Sequence, residues 1–433
     1  MTDWIGETFT SDAGWDHLEE LVDIGNRMAG SEGERRAAEA TRDALARVGA
    51  RNARLEPFDI QGWTRGSSAV RAGGTSQECI ALPRSPAGEA TGELVDVGHG
   101  LPGDFAADLE GAVVLAGSDV PDWYDRFLHR REKYYRAVEG GAAAFVFRNH
   151  VDGCLAPTGS VGTDEAPIGE IPAVGVSKEV GARLARRFAG EAVTVEVEAD
   201  VHDATSRNVH ADVGPETDEE VLVTSHVDAH DVAEGASDNG AGTAAVVEVA
   251  RALVARESDL DARVHLIAYG AEEVGLLGSE YDAARRDLDD VEAVVNNDGV
   301  VTARTLKADT HGFDALGDAV AAVADRFDHP IETTPRLGPH SDHWQYVKRG
   351  VPGYHATSAT GSDDRGWGHT RADTLDKLEG RTLREQAVLL TALVVHLADE
   401  DVTVAHRDPA EIAAQAEREG LAEGMRVTGD WPY

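Results

Sequence analysis

The run Val221-Leu-Val-Thr-Ser-His226-Val-Asp228, followed by Ser237-Asp238-Asn239-Gly240, decides how the rest of the chain is read. The first piece is short, apolar and rich in β-branched residues, so it reads as a buried strand that ends on an imidazole and a carboxylate. The second opens a helical stretch, Gly240–Val254. The pattern then repeats. Strands are predicted at Arg263–Tyr269, Val291–Asn297 and Val351–Ala356, and helices at Gly278–Asp287, Gly312–Arg326 and Arg381–Leu397. Strands alternating with helices give a layered α/β sheet.

In an open α/β sheet, ligands bind in the crevice beyond the carboxyl ends of the strands. The chemically active residues cluster at those ends. His226 and Asp228 close the first strand, and Asp238 stands at the entry to its helix. Glu272-Glu273 follows the second strand, Asp298 the third, and a loop with His369 and Asp373 follows the fourth. Imidazole and carboxylate without thiolate suit one or two borderline divalent ions, zinc first, with cobalt or manganese as substitutes. A carboxylate can bridge two ions ~3.5–4 Å apart. His226 and Asp228, two apart on a strand, share a face, so one can ligate while the other orients an imidazole. Consecutive Glu272 and Glu273 can diverge, one to a metal and one to a metal-bound water as base.

Upstream, residues 14–26 and 34–49 read as amphipathic helices. From 62 to about 200, short β-like runs at 92–97, 111–116, 142–147 and 171–176 alternate with Gly/Pro turns, and one helix is predicted at Trp123–Glu139. The stretch from 405 is acidic and Ala-rich and reads as a peripheral helix.

Composition excludes several classes. The chain has 433 residues, 79 acidic against 40 basic, and a net charge of −39. Such a charge repels nucleic acid and anionic membranes. The basic run Arg126–Arg136 therefore reads as a helix face pairing with nearby acids. No apolar run approaches the ~18 residues of a membrane span, and no secretory leader is visible, so a cytoplasmic location is expected. Two cysteines cannot build a disulfide framework. Gly240-Ala-Gly242 does not fit a dinucleotide fingerprint and reads as close packing at a helix start. Taken singly, Asp342, Asp363 and Asp364 read as solvated acids, and His210, His265 and His355, outside the set of motifs that accompanies His226 and His369, as structural histidines.

With these motifs in order, the chain resembles the di-zinc aminopeptidases of the M28 peptidase type. His226-Val-Asp228, Asp238-Asn239-Gly-Ala-Gly242, Glu272-Glu273, Asn297-Asp298, Ser341-Asp342-His343, Val351-Pro352 and His369-Thr-Arg-Ala-Asp373 carry the likeness, with Ala29-Gly30-Ser31 upstream. Residues 62–190 are similar to an inserted protease-associated (PA) domain. The resemblance implies a three-layer α/β/α mixed-sheet zinc-peptidase fold over 1–61 and 191–404, with 405–433 as an acidic extension. It implies one zinc on His226, Asp238 and Asp298 and another on Asp238, Glu273 and His369, with Asp238 as bridge and Glu272 as base. Asp228 and Asp373 are implied to stand behind the ligands. It also implies a cis peptide after Asp238.

One position departs from the family pattern. Gly368 stands where the family frequently has a tyrosine able to donate to the oxyanion, so Tyr354, His343 and Trp367 become candidate donors. The implied activity is removal of N-terminal residues from peptides by a two-metal-activated water. The alternatives on the same fold are carboxypeptidase action, a single-zinc glutaminyl-cyclase-like acyl transfer, or a non-catalytic binding module. The sequence fixes no oligomeric state.

Acid spread along the whole chain, with only five lysines among the basic residues, points to a salt-rich cytoplasm in which counter-ions screen self-repulsion. The melting temperature is expected to rise steadily as KCl is raised from roughly 0.1 M to multimolar. Full stability at low ionic strength would contradict salt adaptation.

Overall fold

A computed structural model describes residues 3–163, 165–361 and 366–433. Asp363 and Asp364 lie outside them. The chain forms two compact units, the first made of Met1–Ile60, Ala204–Asp363 and Asp373–Gln415, the second of Gln61–Asp203, Asp364–Ala372 and Ala416–Tyr433. Two long strands, Arg51–Ala72 and Ala192–Val213, straddle the boundaries between these segments.

In the first unit the strand order is Leu306–Asp309, Gly353–Ser358, Val291–Asn297, Glu220–His226, Arg263–Tyr269 and the last part of Ala192–Val213. The middle four run parallel, and the two outer ones pair antiparallel. Every residue of Glu220–His226 is buried. That is what a parallel strand covered on both faces demands, and it explains the unbroken apolar run in the sequence. One face packs Leu222, Ile267, Tyr269, Val294 and Tyr346 together. The helices Ala241–Val254, Gly380–Leu397 and Ala13–Ile24 pack on one another.

The first helices follow from local chemistry. Ser31 caps the helix Glu32–Arg47, its hydroxyl accepting from the Glu34 amide at 3.0 Å. Acidic side chains fill the first turn, Arg47 sits in the last, and Ala37, Ala38, Thr41, Ala44 and Leu45 form the buried stripe.

In the second unit, strands Gly88–Asp96, Val113–Gly117, Ala144–Arg148 and Ala173–Val176 run parallel in that order. Tyr134, Tyr135, Phe145 and Phe147 dominate its core. The predicted helix at 123–139 is shorter than expected and begins at Arg130, because His129 caps it by accepting from the Arg131 amide. The basic run pairs internally. Buried Glu132 receives Arg126 at 2.6 Å and Arg136 at 2.9 Å. Lys133 donates to the carbonyls of Gly117 and Asp119, and burial pushes its amine down to about 8. The predicted peripheral helix past 405 is two helices, Pro409–Arg418 and Leu421–Val427. Among the described residues no helix is long and apolar enough to cross a membrane.

The close packing expected at Gly242 is present. A Cβ there would meet Asn239 Oδ1 and the Asn297 carbonyl, each at 2.2 Å. Gly242→Ala is therefore expected to cost about 1–3 kcal/mol. Urea titration of wild type and variant checks this through a lower midpoint at unchanged slope.

Candidate metal centre

The register of the parallel strands assembles the centre. His226 pairs with Tyr269 at the end of its neighbour, and Asn296 pairs with Thr224 on the other side. The residues just beyond these ends, Asp228, Glu272, Glu273 and Asp298, therefore share one rim. Asp238 reaches the same rim through the turn Ala236–Gly240, where Asp238 and Asn239 leave helical geometry and the peptide between them is cis. Asn239 fastens that turn. Its amide group donates to the Asn297 carbonyl at 2.8 Å and its oxygen accepts from the Gly242 amide at 3.0 Å. The chain thereby ties the Asp238 turn to the residue preceding Asp298.

His226 is the hub. Its Nδ1 donates to the Asp228 carbonyl at 3.1 Å. Its Nε2 is buried without a hydrogen-bond partner. That nitrogen lies 3.3 Å from Asp238 Oδ1, 3.6 Å from Asp298 Oδ1 and 4.0 Å from Glu272 Oε2. With Nδ1 carrying one proton, Nε2 faces carboxylate oxygens, an arrangement that needs positive charge there, supplied by a second proton on the ring or by a cation. Ligands at ~2.0–2.1 Å from a tetrahedral ion are ~3.3–3.4 Å apart, close to the separations found here. Burial alone lowers the basicity of His226, yet Glu272, Asp228, Asp238 and Asp298 hold it well above its usual value. Burial pushes the Glu272 carboxyl well above the usual range, and Glu273, Asp298 and Asp342 add to this against the pull of His226. Asp298 Oδ2 accepts from Ser341 Oγ at 2.6 Å.

Both carboxylates expected to stand behind the ligands hold main-chain amides. Asp228 accepts from the amides of Glu272 and Glu273 at 3.1 and 3.2 Å. The imidazole is oriented mainly by the Asp228 carbonyl, with the carboxylate 3.4 Å away. Asp373 accepts from the Ser237 amide and hydroxyl, each at 2.7 Å, and from the Asp238 amide at 3.1 Å. Burial pushes its carboxyl up to about 6.

Three contributors escape a reading by residue type. His230 Nε2 lies 2.9 Å from Glu273 Oε2, both side chains buried. The spacing 226, 228, 230 was its only signal. Arg27 is buried and donates to the carbonyls of Leu21, Val227, Glu234 and Gly235. It clasps the chain between His226 and Asp238, and neighbouring Asp373, Asp228, Asp238 and Glu273 only partly offset the burial that lowers it to about 10. Glu34 accepts from the amides of Gly30 and Ala271 and from Ser206 Oγ, steadying the backbone before Glu272.

The structure corrects other expectations. Asp342 is fully buried, and burial pushes its carboxyl up to about 8, so it is not a solvated acid. Tyr354 is no oxyanion donor, because its buried hydroxyl already donates to the Leu316 carbonyl at 2.7 Å. Nor is His343. Its Nε2 donates to the Gly338 carbonyl at 2.8 Å, and its ring is stacked between His311 and His355. Burial and those neighbours keep it neutral, so Nδ1 can only accept. His355 lies 3.9 Å from Asp298 Oδ2. Trp367 and His369 lie in the segment Asp364–Ala372, which groups with the second unit. There the His369 carbonyl accepts from the Thr158 amide at 2.8 Å, and Trp367 is half exposed.

Comparison with known proteins gives this rim a context. Residues 208–394 match peptidase family M28, and residues 90–184 match the PA domain. The chain is 28% identical over 391 residues to aminopeptidase YwaD of Bacillus subtilis, covering 86% of this chain and 81% of that one. Its fold superposes on the aminopeptidase from Aneurinibacillus sp. strain AM-1 with a TM-score of 0.70 at 26% identity, covering 94% and 99% of the two chains. A zinc aminopeptidase from Bacillus subtilis shares the fold with a TM-score of 0.69 at 24% identity, over 90% of this chain and 96% of that one.

Asp228→Asn leaves one former acceptor facing the amides at 272 and 273 as a donor. A loss of roughly 10–100-fold in metal affinity is expected, measurable by competition with a chromogenic chelator. Unchanged affinity would remove Asp228 from the support of the centre.

Proposed function

We propose that this chain, a metallopeptidase of family M28 carrying a PA domain, removes N-terminal residues from peptides using zinc held at the rim around His226. The observation that supports this most is the unpartnered Nε2 of His226 among Asp238, Asp298 and Glu272. The aminopeptidase names of its relatives support the choice of peptide end.

His226, Asp238 and Asp298 would hold one zinc ion. Asp238 would bridge to a second, shared with Glu273. His369 joins that second set on its sequence motif, and His230, 2.9 Å from Glu273, either ligates or steadies that carboxylate. Bound zinc supplies Lewis acidity toward the scissile carbonyl and lowers the pKa of water toward ~7.

The remaining work falls to the chain. Glu272 accepts the proton of the attacking water and passes it to the departing amine. Its burial serves this role, because a carboxyl with raised proton affinity is a stronger base near neutral pH. Asp228 holds the Glu272 amide, fixing the direction of the base. The acidic rim offers negative charge to the ammonium group of a peptide N-terminus.

Glu272→Gln is expected to keep its zinc and lose turnover by about 10²–10⁴-fold. Asp238→Ala is expected to lose zinc as well. Metal quantitation beside a panel of free-amine, amine-blocked and free-carboxylate peptides checks both. Hydrolysis of amine-blocked peptides, or near-normal turnover by Glu272→Gln, would overturn the assignment.

A further inference from the structure

The same unit contains another group of ionisable side chains away from this rim. It lies where strand Arg263–Tyr269 pairs antiparallel with the end of Ala192–Val213. The register sets His265 opposite Asp212 and His210 opposite Ile267. His265 Nδ1 is 2.6 Å from Asp212 Oδ1, His210 Nδ1 is 3.0 Å from His265 Nε2, and His210 Nε2 is 3.1 Å from Glu56 Oε2. Both imidazoles are buried. The order is carboxylate, imidazole, imidazole, carboxylate.

Counting protons along that line exposes a deficit. Three contacts need three hydrogens, and two neutral imidazoles carry only two. The 2.6 Å contact holds one, donated by His265 to Asp212. Burial would raise Asp212, but His265 and Asn52 hold it down to about 2. His265 Nε2 is then an acceptor and takes the Nδ1 hydrogen of His210. His210 Nε2 is left presenting a lone pair to a carboxylate oxygen, acceptor against acceptor. Reversing both tautomers only moves the conflict to the shorter contact with Asp212.

A third carboxylate converges on the deficient end. One ligand atom from each of Glu56, His210 and Asp282 lies within 4.8 Å of the other two. Asp282 receives Arg286 on both oxygens and Tyr346 on Oδ2. Three of its roughly four lone-pair positions are therefore used, which leaves one on Oδ1. The 3.1 Å separation of His210 Nε2 and Glu56 Oε2 is near the ~3.3 Å edge of a tetrahedral zinc site. The Glu56 side chain is 39% exposed, so an ion has a route in from solvent. Charge agrees as well. Glu220 and Asp282 pair with Arg263 and Arg286 and Arg54 acts on Glu56, so the carboxylates Glu56, Asp212, Asp282 and Glu220 still outnumber these guanidiniums, an excess that a bound cation offsets.

We propose that Glu56, His210 and Asp282 form a further divalent-cation site, suited to zinc by its imidazole and carboxylate donors. His265 and Asp212 behind it fix the tautomer of His210, as outer partners do for metal-bound imidazoles. The site is separate from the catalytic rim, and its existence does not rest on the reading of that rim.

The test uses the full chain, equilibrated with zinc chloride and then freed of loosely held ion. Zinc per chain is measured for wild type, Glu56→Gln, His210→Ala and His226→Ala. Glu56→Gln and His210→Ala are each expected to carry one ion fewer than wild type and to keep peptide hydrolysis. His226→Ala is expected to lose ions at the rim while retaining this one. Added zinc is expected to raise the melting temperature of His226→Ala and to do so less when Glu56→Gln is combined with it. His210 is buried and its variant can fail to fold, so the half-exposed Glu56 decides that case. Equal zinc content in wild type and Glu56→Gln would overturn the proposal and leave a shared proton as the missing positive charge.

Discussion

A buried imidazole lone pair surrounded by carboxylates is tolerable only with a positive charge among them, and that constraint organises the first unit. Nε2 of His226 stands 3.3 to 4.0 Å from three acidic side chains. Each of these groups is presented by a different piece of chain. The sheet supplies the common rim, and a set of backbone anchors supplies the aim. Asn239 ties the Asp238 turn to the strand before Asp298. Asp228 and Asp373 hold the amides leading to the glutamates and to Asp238. Arg27 holds the Leu21 carbonyl and three carbonyls between His226 and the Asp238 turn. A carboxylate that spends itself on main-chain amides fixes geometry without competing for the ion, a division of labour that metal sites depend on.

Much of this was legible in the sequence, for a definite reason. Parallel strands buried on both faces leave long apolar runs, so Glu220–His226, Arg263–Tyr269 and Val291–Asn297 announce themselves, and the polar residues that end them stand out. The edge strand Leu306–Asp309 and the long strands Arg51–Ala72 and Ala192–Val213 did not show. Much of Arg51–Ala72 is exposed, with no clean alternation, and four-residue Leu306–Asp309 offers too short a period to detect. His226, Asp238, Glu272 and Asp298 stood out as candidates because their type and their place agreed.

Arg27, Glu34 and His230 carry no such signature. Arg27 and Glu34 act largely on main-chain groups, some about two hundred positions away, and residue patterns do not record backbone partners. Two of the three oxyanion candidates failed for a related reason. Tyr354 and His343 have the right chemistry, but each has its donor committed to a carbonyl. His210 and His265 looked structural because their acidic companions, Glu56 and Asp212, approach only when two antiparallel strands and a neighbouring segment meet.

The scattering of the cage along the chain also sets when it can form during synthesis. Its members run from position 226 to position 298, and the amides at 237 and 238 are held by Asp373. A ribosome must therefore release most of the polypeptide before these side chains can come together. If the rim holds zinc as proposed, loading comes late in synthesis, because the residues that shape it are spread as far as position 373.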